Sequence, residues 1–189
     1  MNFYQSYLEH VTQLHATQIS NLNQQPYIVH LLAVRDNAFK AGYNDLFTQM
    51  IALGHDSIED TIETKESLTQ YLNSINMFDE HIEIVRNGIV LLTDPEGLEG
   101  KAKMDHFKER VSIMPEKVLA VKISDSVHNV ECLNHYVKVD FDDAKKHHDK
   151  YCLYLETYQS RPDLANKNRI VSLLGTLSKN LDDTEILFG

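Results

Sequence analysis

Residues 54–61, Gly-His-Asp-Ser-Ile-Glu-Asp-Thr, contain one imidazole and three carboxylates, those of His55, Asp56, Glu59 and Asp60. In a helix, residues four apart share a face, so His55 and Glu59 would form one column and Asp56 and Asp60 its neighbour. Three carboxylates beside an imidazole, next to an apolar segment, are unfavourable unless a cation compensates their charge. A divalent metal ion would compensate it. A solvated acidic helix end is the alternative, because His-Asp pairs are common by chance.

Residues of the same chemical types occur in two further segments. His30 lies in the otherwise apolar stretch Tyr27-Ile-Val-His-Leu-Leu32, and Asp125, His128 and Asn129 share one face of a long predicted helix. Each alone has an ordinary explanation as a buried polar side chain bonded to a neighbouring helix. With the His-Asp pair they suggest two imidazoles and two carboxylates, a set that suits manganese, iron, cobalt or zinc. The candidate ligands are His30, His55, Asp56 and Asp125.

The other two carboxylates of residues 54–61, those of Glu59 and Asp60, would then lie beside a water molecule at the metal. There a carboxylate can accept the proton of the water or hold the water in line with an electrophile. These residue types therefore predict metal-assisted hydrolysis.

The order of these motifs resembles a known enzyme family. A lone histidine, then a His-Asp pair, then a later aspartate resembles the order in HD-domain metal-dependent phosphohydrolases. Within that family, three segments are similar to the hydrolase motifs of the RelA/SpoT homologues, including their stand-alone small alarmone hydrolases. The segments are Gln25-Pro-Tyr-Ile-Val-His-Leu-Leu-Ala-Val34, His55-Asp-Ser-Ile-Glu-Asp-Thr61 and Val121-Lys-Ile-Ser-Asp-Ser-Val-His-Asn129. Three ordered motifs within about residues 1–140 are far more specific than any one of them.

The resemblance implies a reaction on an alarmone of the stringent response, removal of the 3′-pyrophosphate of guanosine tetraphosphate (ppGpp) or pentaphosphate. Glu59 and Asp60 match the paired acidic residues that orient and activate the attacking water. Asn129 matches an asparagine that lines the nucleotide pocket, while Tyr27 either contacts the substrate or packs. One divalent ion, Mn²⁺, is implied at His30, His55, Asp56 and Asp125.

Two departures from the family pattern concern the substrate. Ser20 stands where the family carries a basic residue that packs on the guanine, and Leu31 replaces the usual proline after the first histidine. Loss of a stacked cation would remove on the order of 1–2 kcal/mol of base binding without affecting hydrolysis. The base and the phosphate position are therefore left open.

Two other functions stay open from the sequence. An HD-domain 5′-nucleotidase or deoxynucleoside triphosphate hydrolase would share the metal ligands but recognise a 5′-phosphate. A catalytically silent HD module would bind a nucleotide as a sensor, although a binder has no need of Glu59 and Asp60 beside a metal. We expect a stand-alone hydrolase with no synthetase domain and with constitutive turnover.

Basic residues of one predicted helix are the candidates for phosphate binding. They are Lys101, Lys103, Lys108 and Arg110, of which Lys103 is preferred. Acidic residues alternate with them, so a solvated charged face is the alternative. Lys122, three residues before Asp125, is expected to point away from it, with a supporting role at the site as the alternative.

Other polar and aromatic residues are interpreted as structural. We expect His147-His148 to be a solvated surface pair, because Asp149 is its only neighbour at ligand spacing. Helical spacing predicts that three aromatic residues pack in the core or an interface rather than bind a base. They are Tyr151, Tyr154 and Tyr158.

Composition favours one all-α domain. The 189 residues include only 7 Gly and 4 Pro, which argues against an all-β or disordered chain, and no repeat or linker divides them. We predict a single compact helical HD-domain fold over residues 1–189. It would have a motif-bearing core at about 1–140, C-terminal helices at 141–181 and a loosely held acidic tail at 182–189.

Hydrophobic periodicity predicts where the helices lie. The first is expected to continue to the polar run 21–25, the second to end at Gly42, and the third to include His55–Asp60. The later helices are expected at 65–75, 78–92, 101–114, 116–136, 141–158 and 166–180.

Charge and cysteine content restrict the partners and the compartment. A net charge of −10, from 18 basic and 28 acidic residues, would repel the phosphate backbone of nucleic acids. The 2 cysteines form no disulfide framework, and the N-terminus lacks a signal peptide, which predicts a cytoplasmic protein. No apolar run approaches the ~20 residues that span a bilayer. The expected partner is a small nucleotide rather than nucleic acid or membrane, and homo-oligomerisation is left open.

Overall fold

The structure, a computed structural model, describes residues 2–189. Within that range it contains ten α-helices, one short 3-10 helix and no β-strand, which confirms the all-α prediction. The helices are α1 (Phe3–Leu14), α2 (Ile28–Lys40), α3 (Leu46–Gly54), α4 (Ser57–Asp60), α5 (Lys65–Ser74), α6 (Asp79–Leu92), α7 (Gly100–Ile113), α8 (Glu116–Tyr136), α9 (Phe141–Gln159) and α10 (Asn168–Glu185), with the 3-10 helix at Pro162–Leu164. No helix of residues 2–189 has both the length and the apolarity needed to cross a bilayer.

Helix α8 is at the centre of the molecule. Its 21 residues correspond to a length of about 31 Å. Helices α2, α3, α6, α9 and α10 pack around it, and Leu119, Ile123 and Leu133 are fully buried in the resulting core. Because α8 is surrounded, a polar side chain on it such as that of Asp125 must find its partners inside the protein.

Helix α2 ends in a glycine turn that leads directly into α3. Gly42 has a φ of +92°, in the left-handed region that glycine adopts without strain. Its N–H donates to the carbonyl of Phe39 at 2.9 Å, and the N–H of Tyr43 donates to the carbonyl of Ala38 at 3.0 Å. These two bonds form a Schellman motif. The predicted stop at Gly42 is confirmed, and the short turn keeps α2 and α3 in contact.

The prediction of one continuous helix through His55–Asp60 is wrong. Helix α3 ends at Gly54, and α4 is a separate single turn. Between them, Asp56 stays in the right-handed region but departs from ideal helical angles, with φ −103° and ψ 0°, and the Ser57 hydroxyl donates to the Gly54 carbonyl at 2.8 Å. A side-chain bond of this kind competes with the backbone bonds of a helix. His55 and Asp56 therefore lie at a bend instead of in two helical columns.

The first helix is shorter than predicted. Helix α1 ends at Leu14, and residues 15–27 form turns closed by a bridge between Ile19 and Pro26. Ile19 fits the helical spacing of α1, yet its side chain is 51% exposed and lies outside the helix. Gln24 has a left-handed φ of +58°, which completes the turn before α2.

The last helix is longer than predicted. Helix α10 continues to Glu185, beyond the expected end near Asn180, and Thr184 in the supposed loose tail is buried. His148 on α9 contributes to this order. Its Nε2 lies 3.2 Å from the carbonyl oxygen of Leu181 and 3.3 Å from the carboxylate of Glu185. His148 is only 3% exposed, so the prediction that it is solvated is wrong.

Candidate metal centre and phosphate pocket

Four side chains from three parts of the chain meet beside α8. His30 comes from α2, Asp125 from α8, and His55 and Asp56 from the bend after α3. The Nε2 atoms of His30 and His55 are 3.2 Å apart, and Asp56 Oδ2 lies 3.5 Å from the first and 2.9 Å from the second. Asp125 Oδ1 lies 3.4 Å and 3.8 Å from the same two nitrogens. The four residues that the sequence suggests as metal ligands are thus close together.

The donor atoms of His30, His55 and Asp56 fit a single divalent ion, and Asp125 lies beside them. Atoms bound about 2.1 Å from one ion lie about 3 to 3.5 Å apart when they are adjacent ligands. The distances above are close to that range, and the donor atoms of His30, His55 and Asp56 all lie within 4.8 Å of one another. Two imidazole nitrogens with two carboxylate oxygens form a donor set that suits manganese, iron or zinc.

The charges in the site favour a cation. Burial lowers the pKa of His55, but the carboxylates of Asp56 and Asp125 outweigh burial and raise this pKa to about 10. Burial raises the pKa of Asp56, whereas the imidazoles of His55 and His30 bring it well below the usual aspartate range. The site therefore stabilises positive charge between buried carboxylates, and a divalent ion would supply that charge.

Both imidazoles are oriented by bonds at their outer nitrogens. His55 Nδ1–H donates to the backbone carbonyl of Ala52 at 2.8 Å. His30 Nδ1 lies 2.9 Å from Nδ1 of His128, whose pKa is lowered to about 4 by burial and by the neighbouring His30. His128 is therefore neutral and accepts the hydrogen bond from His30 Nδ1–H. In both rings Nε2 faces the centre, as in a metal-binding histidine.

Two further carboxylates lie on the one-turn helix α4, and a different segment holds each of them. Glu59 Oε2 accepts a hydrogen bond from the backbone N–H of Asp94 at 2.9 Å. Asp60 Oδ2 accepts one from the side-chain amide of Gln18 at 3.2 Å. Burial raises the pKa of Glu59, which makes its carboxylate a stronger base towards water.

A cavity of about 420 Å³ opens over these groups. Five carboxylates line it, those of Asp56, Glu59, Asp60, Asp94 and Asp125. Three ammonium groups line it as well, those of Lys103, Lys122 and Lys150. Carboxylates that could hold a metal, together with several cations, suit an anionic ligand that binds the metal and the lysines at once.

Sequence reasoning missed Lys150. Its ammonium group lies 4.5 Å and 5.8 Å from the ring centroids of Tyr151 and Tyr154. Burial and the nearby charge of Lys122 lower its pKa to about 8. Tyr151, Tyr154 and Tyr158 are all buried in the core as expected, and the first two also form part of the cavity wall. The four-residue spacing of Lys150 and Tyr154 is the signal that could have placed them on one face.

Lys122 points towards Asp125, so the expectation that it points away is wrong. Its Nζ lies 3.0 Å from Asp125 Oδ2. Burial lowers the pKa of Lys122, but the charge of Asp125 outweighs burial and raises it, so the ammonium group stays charged. Residues three apart on a helix share a face, which is the physical reason for this contact.

The four candidate phosphate-binding residues differ in position. Lys103 lines the cavity, with its Nζ 2.9 Å from Asp94 Oδ2. Arg110 is buried, where it binds Asp94 and two carbonyls at the end of α6 at 3.1 Å and 2.8 Å, so it holds that end in place. Lys101 and Lys108 are exposed to solvent, and neither is among the residues that line the cavity.

The other two candidate substrate contacts line the cavity and bond to the metal-site carboxylates. The hydroxyl of Tyr27 donates to Asp56 Oδ2 at 2.7 Å, and the amide of Asn129 donates to Asp125 Oδ1 at 2.5 Å. Each therefore orients a carboxylate in addition to facing the cavity. Ser20 is only 9% exposed and is not among the residues that line the cavity.

Comparison with known proteins finds relatives that are much longer than this chain. No protein-family model matches it. A probable GTP pyrophosphokinase of Mycobacterium leprae (strain TN) is 29% identical over 135 residues, which cover 70% of this chain and 16% of that protein. A GTP pyrophosphokinase of Myxococcus xanthus is 28% identical over 119 residues, which cover 59% of this chain and 14% of that protein. The chain thus spans about one-sixth of the length of these curated relatives.

A solved structure shares the fold. A metazoan orthologue of SpoT, described as hydrolysing ppGpp with a role in starvation responses, matches with a TM-score of 0.78. The match covers 97% of this chain and 96% of that chain at 17% sequence identity. The predicted resemblance to the RelA/SpoT homologues is therefore confirmed, through the curated relatives in sequence and through the SpoT orthologue in fold.

Proposed function

We propose that this protein is a metal-dependent hydrolase that removes the 3′-pyrophosphate of guanosine tetraphosphate, guanosine pentaphosphate or a related alarmone. The meeting of two imidazoles and two carboxylates beside a lysine-lined cavity carries the proposal. The fold shared with a ppGpp-hydrolysing SpoT orthologue supports it. Both curated relatives are named for a reaction of GTP, which supports a guanine nucleotide as substrate.

We propose one Mn²⁺ at His30, His55, Asp56 and Asp125. Such an ion, when bound, would lower the pKa of water and would neutralise charge on the phosphorus oxygens. The residues around the ligands keep them in place, because each imidazole is bonded at Nδ1 and each ligand carboxylate accepts a side-chain hydrogen bond.

In the proposed reaction, Glu59 accepts a proton from the attacking water. Its raised pKa suits this role, because a base is most effective when its pKa approaches the working pH. Asp60, the next residue, holds the same water in line with the phosphorus. The water oxygen forms a bond to phosphorus, the bond from phosphorus to the 3′ oxygen breaks, and the proton passes to that oxygen. The products are pyrophosphate and a nucleotide with a free 3′-hydroxyl.

The lysines of the cavity would bind the phosphates of the substrate. Lys150 provides positive charge at the cavity wall, which attracts a polyphosphate locally although the chain carries a net charge of −10. Lys103 would exchange its ion pair with Asp94 for a phosphate contact. The cavity of about 420 Å³ has the size of a site for part of a nucleotide.

Hydrolysis is favoured over pyrophosphate transfer, the activity in the names of both curated relatives. Those proteins are about six to seven times as long as the stretch they share with this chain, and their names describe the whole proteins. In this chain Glu59 and Asp60 line the cavity together with the candidate ligands Asp56 and Asp125, an arrangement that suits activation of water.

The function is tested by incubating the purified protein and Mn²⁺ with guanosine tetraphosphate, its adenosine analogue, and ordinary nucleoside mono- and triphosphates. Anion-exchange chromatography then resolves the products. Release of pyrophosphate from the 3′ position is expected. Cleavage at a 5′ position would instead favour a nucleotidase or triphosphohydrolase, and binding without turnover would favour a sensor. A parallel reaction with ATP and GTP tests for pyrophosphate transfer.

Two ligand variants connect this activity to the proposed metal centre. His55→Ala and Asp125→Ala are expected to lose bound metal and all turnover together, as measured by elemental analysis and the same assay. His135→Ala is the matched control, because His135 is an exposed histidine on α8. Normal hydrolysis by either ligand variant would remove that residue from the set.

A further inference from the structure

The segment between α1 and α2 reaches the candidate site through a chain of side-chain hydrogen bonds. His15 Nδ1 lies 2.5 Å from Gln18 Oε1, and Gln18 Nε2 donates to Asp60 Oδ2 at 3.2 Å. The amide oxygen of Gln18 can only accept, so His15 Nδ1 carries the proton of the first bond. This bond fixes which end of the Gln18 amide faces Asp60, and that end is the NH₂ group.

The surroundings of His15 keep its ring in this state. The residue is 2% exposed, and its ring stacks on Tyr27 with centroids 5.2 Å apart and planes at 17°. Burial lowers the pKa of His15. Nε2 is buried without a hydrogen-bond partner among residues 2–189, so a second proton there would be an unsatisfied buried donor. The ring is therefore neutral, with its one proton on Nδ1.

The backbone holds Gln18 on both sides. Its N–H donates to the carbonyl of His15 at 3.1 Å, and its carbonyl accepts from the N–H of Tyr27 at 2.9 Å. Asp60, in contrast, is an exposed residue at the end of α4, a helix of 4 residues. A single helical turn has little stability of its own. The direction of the Asp60 carboxylate therefore depends on a donor from outside α4, and Gln18 is that donor.

We propose that His15 and Gln18 are positioning residues for Asp60, the carboxylate that orients the attacking water. This inference rests on the proposed function. Gln18 restricts the rotation of the Asp60 carboxylate, and His15 restricts the amide of Gln18. Loss of either restraint lowers the fraction of time in which the water is correctly oriented, so kcat falls while metal and substrate still bind.

Steady-state kinetics of variants tests the bonds from His15 through Gln18 to Asp60, because kcat and KM are expected to respond differently. Gln18→Ala and His15→Leu are each expected to lower kcat about ten-fold while KM stays within about two-fold. His15→Asn is expected to retain most of the activity, because the Asn amide N–H can replace Nδ1–H. The double variant His15→Leu/Gln18→Ala should be no slower than Gln18→Ala, since His15 acts through Gln18. Gln13→Ala, an exposed glutamine on α1, is the control.

An NMR measurement without substrate gives a second readout. The carboxyl ¹³C resonance of Asp60 is expected to shift in Gln18→Ala and His15→Leu but not in His15→Asn or Gln13→Ala. An unchanged resonance in Gln18→Ala overturns the inference, and so does an unchanged kcat in that variant when the wild-type protein is active. A wild-type protein that hydrolyses none of the nucleotides refutes the proposed function instead. The Asp60 resonance then tests only whether Gln18 and His15 hold the Asp60 carboxylate.

Discussion

Glu59 and Asp60 are adjacent in the sequence, but their surroundings give them different roles. Both residues are exposed. Desolvation raises the pKa of Glu59, which accepts a hydrogen bond from a backbone N–H, whereas Asp60 accepts one from a side chain of another segment. Different hydrogen-bond donors at two neighbouring carboxylates suit a pair in which one acts as base and the other positions the water.

At the residue scale, the first prediction concerns the proposed base. Glu59→Gln is expected to lower kcat by on the order of 100-fold or more, because an amide cannot accept the proton. Mn²⁺ affinity, measured by titration calorimetry, should be unchanged because Glu59 is not a proposed ligand. Glu83→Gln, an exposed glutamate on α6, serves as control. An unchanged rate would leave Asp60 or bulk solvent as the acceptor.

The second prediction concerns Lys150. Lys150→Gln is expected to raise KM for the nucleotide about ten-fold with bound metal unchanged, because a phosphate contact is lost. In the wild-type protein, KM should rise as the pH increases through about 8, since above its pKa the amine no longer carries the charge that attracts phosphate. This pH dependence should be absent from the variant. Lys146→Gln, on the solvent side of α9, should behave as wild type.

The candidate metal site could be predicted from the residue types of the motifs. The position of Lys150 at the cavity could not. His30 and Asp125 are polar residues in apolar stretches, so their need for partners can be read from the sequence. Lys150 lies on a helix with many charged residues and no local motif. Its place at the cavity depends on how α9 packs against α8, which is a tertiary contact.

At the element scale, the bend between α3 and α4 gives the candidate site its shape. The sequence predicted a continuous helix there because both sides of the bend have helical periodicity. The bend depends on a side-chain bond of Ser57 and on close packing at Gly54, which a periodicity argument does not include. Helices α6, α7, α8 and α9, whose ends are set by local signals such as Pro115, agree with the predicted bounds to within one residue.

A third prediction tests the packing at this bend. A Cβ added at Gly54 would overlap the hydroxyl oxygen of Tyr7 and come within 2.9 Å of Ile89 Cδ1. Gly54→Ala is therefore expected to lower the free energy of unfolding by about 1–3 kcal/mol, as measured by urea denaturation. Tyr7→Phe in the same chain should restore part of the loss, because the buried Tyr7 hydroxyl has no hydrogen-bond partner in residues 2–189.

Gly175 provides the matched control for that substitution. It lies inside α10, and an added Cβ would meet nothing within 4 Å. Gly175→Ala should raise the free energy of unfolding by about 1 kcal/mol, because alanine favours a helix over glycine. Equal effects at the two glycines would contradict the packing argument.

At the scale of the whole molecule, the candidate metal centre joins segments that are far apart in the sequence. Its side chains come from α2, from the bend after α3 and from the central helix α8. Periodicity predicted that these helices exist, but only the way they pack brings the four side chains together. A bound ion would link the three segments, so metal binding and folding should be coupled.

The fourth prediction follows from that coupling. Saturating Mn²⁺ is expected to raise the Tm of the wild-type protein by about 5–10 °C, because an ion that binds only the folded state stabilises it. Addition of a chelator should reverse the shift. Asp125→Asn should show almost no rise, whereas Asp142→Asn, an exposed aspartate on α9, should respond as wild type. A full shift in Asp125→Asn would contradict its role as ligand.

Anomalous X-ray diffraction from crystals grown with Mn²⁺ would locate the ion in the proposed metal centre. We predict one strong peak about 2 Å from His30 Nε2, His55 Nε2 and a carboxylate oxygen of each of Asp56 and Asp125. A peak bound to other residues, or no peak at these four side chains, would contradict the account of this protein as a metal-dependent hydrolase.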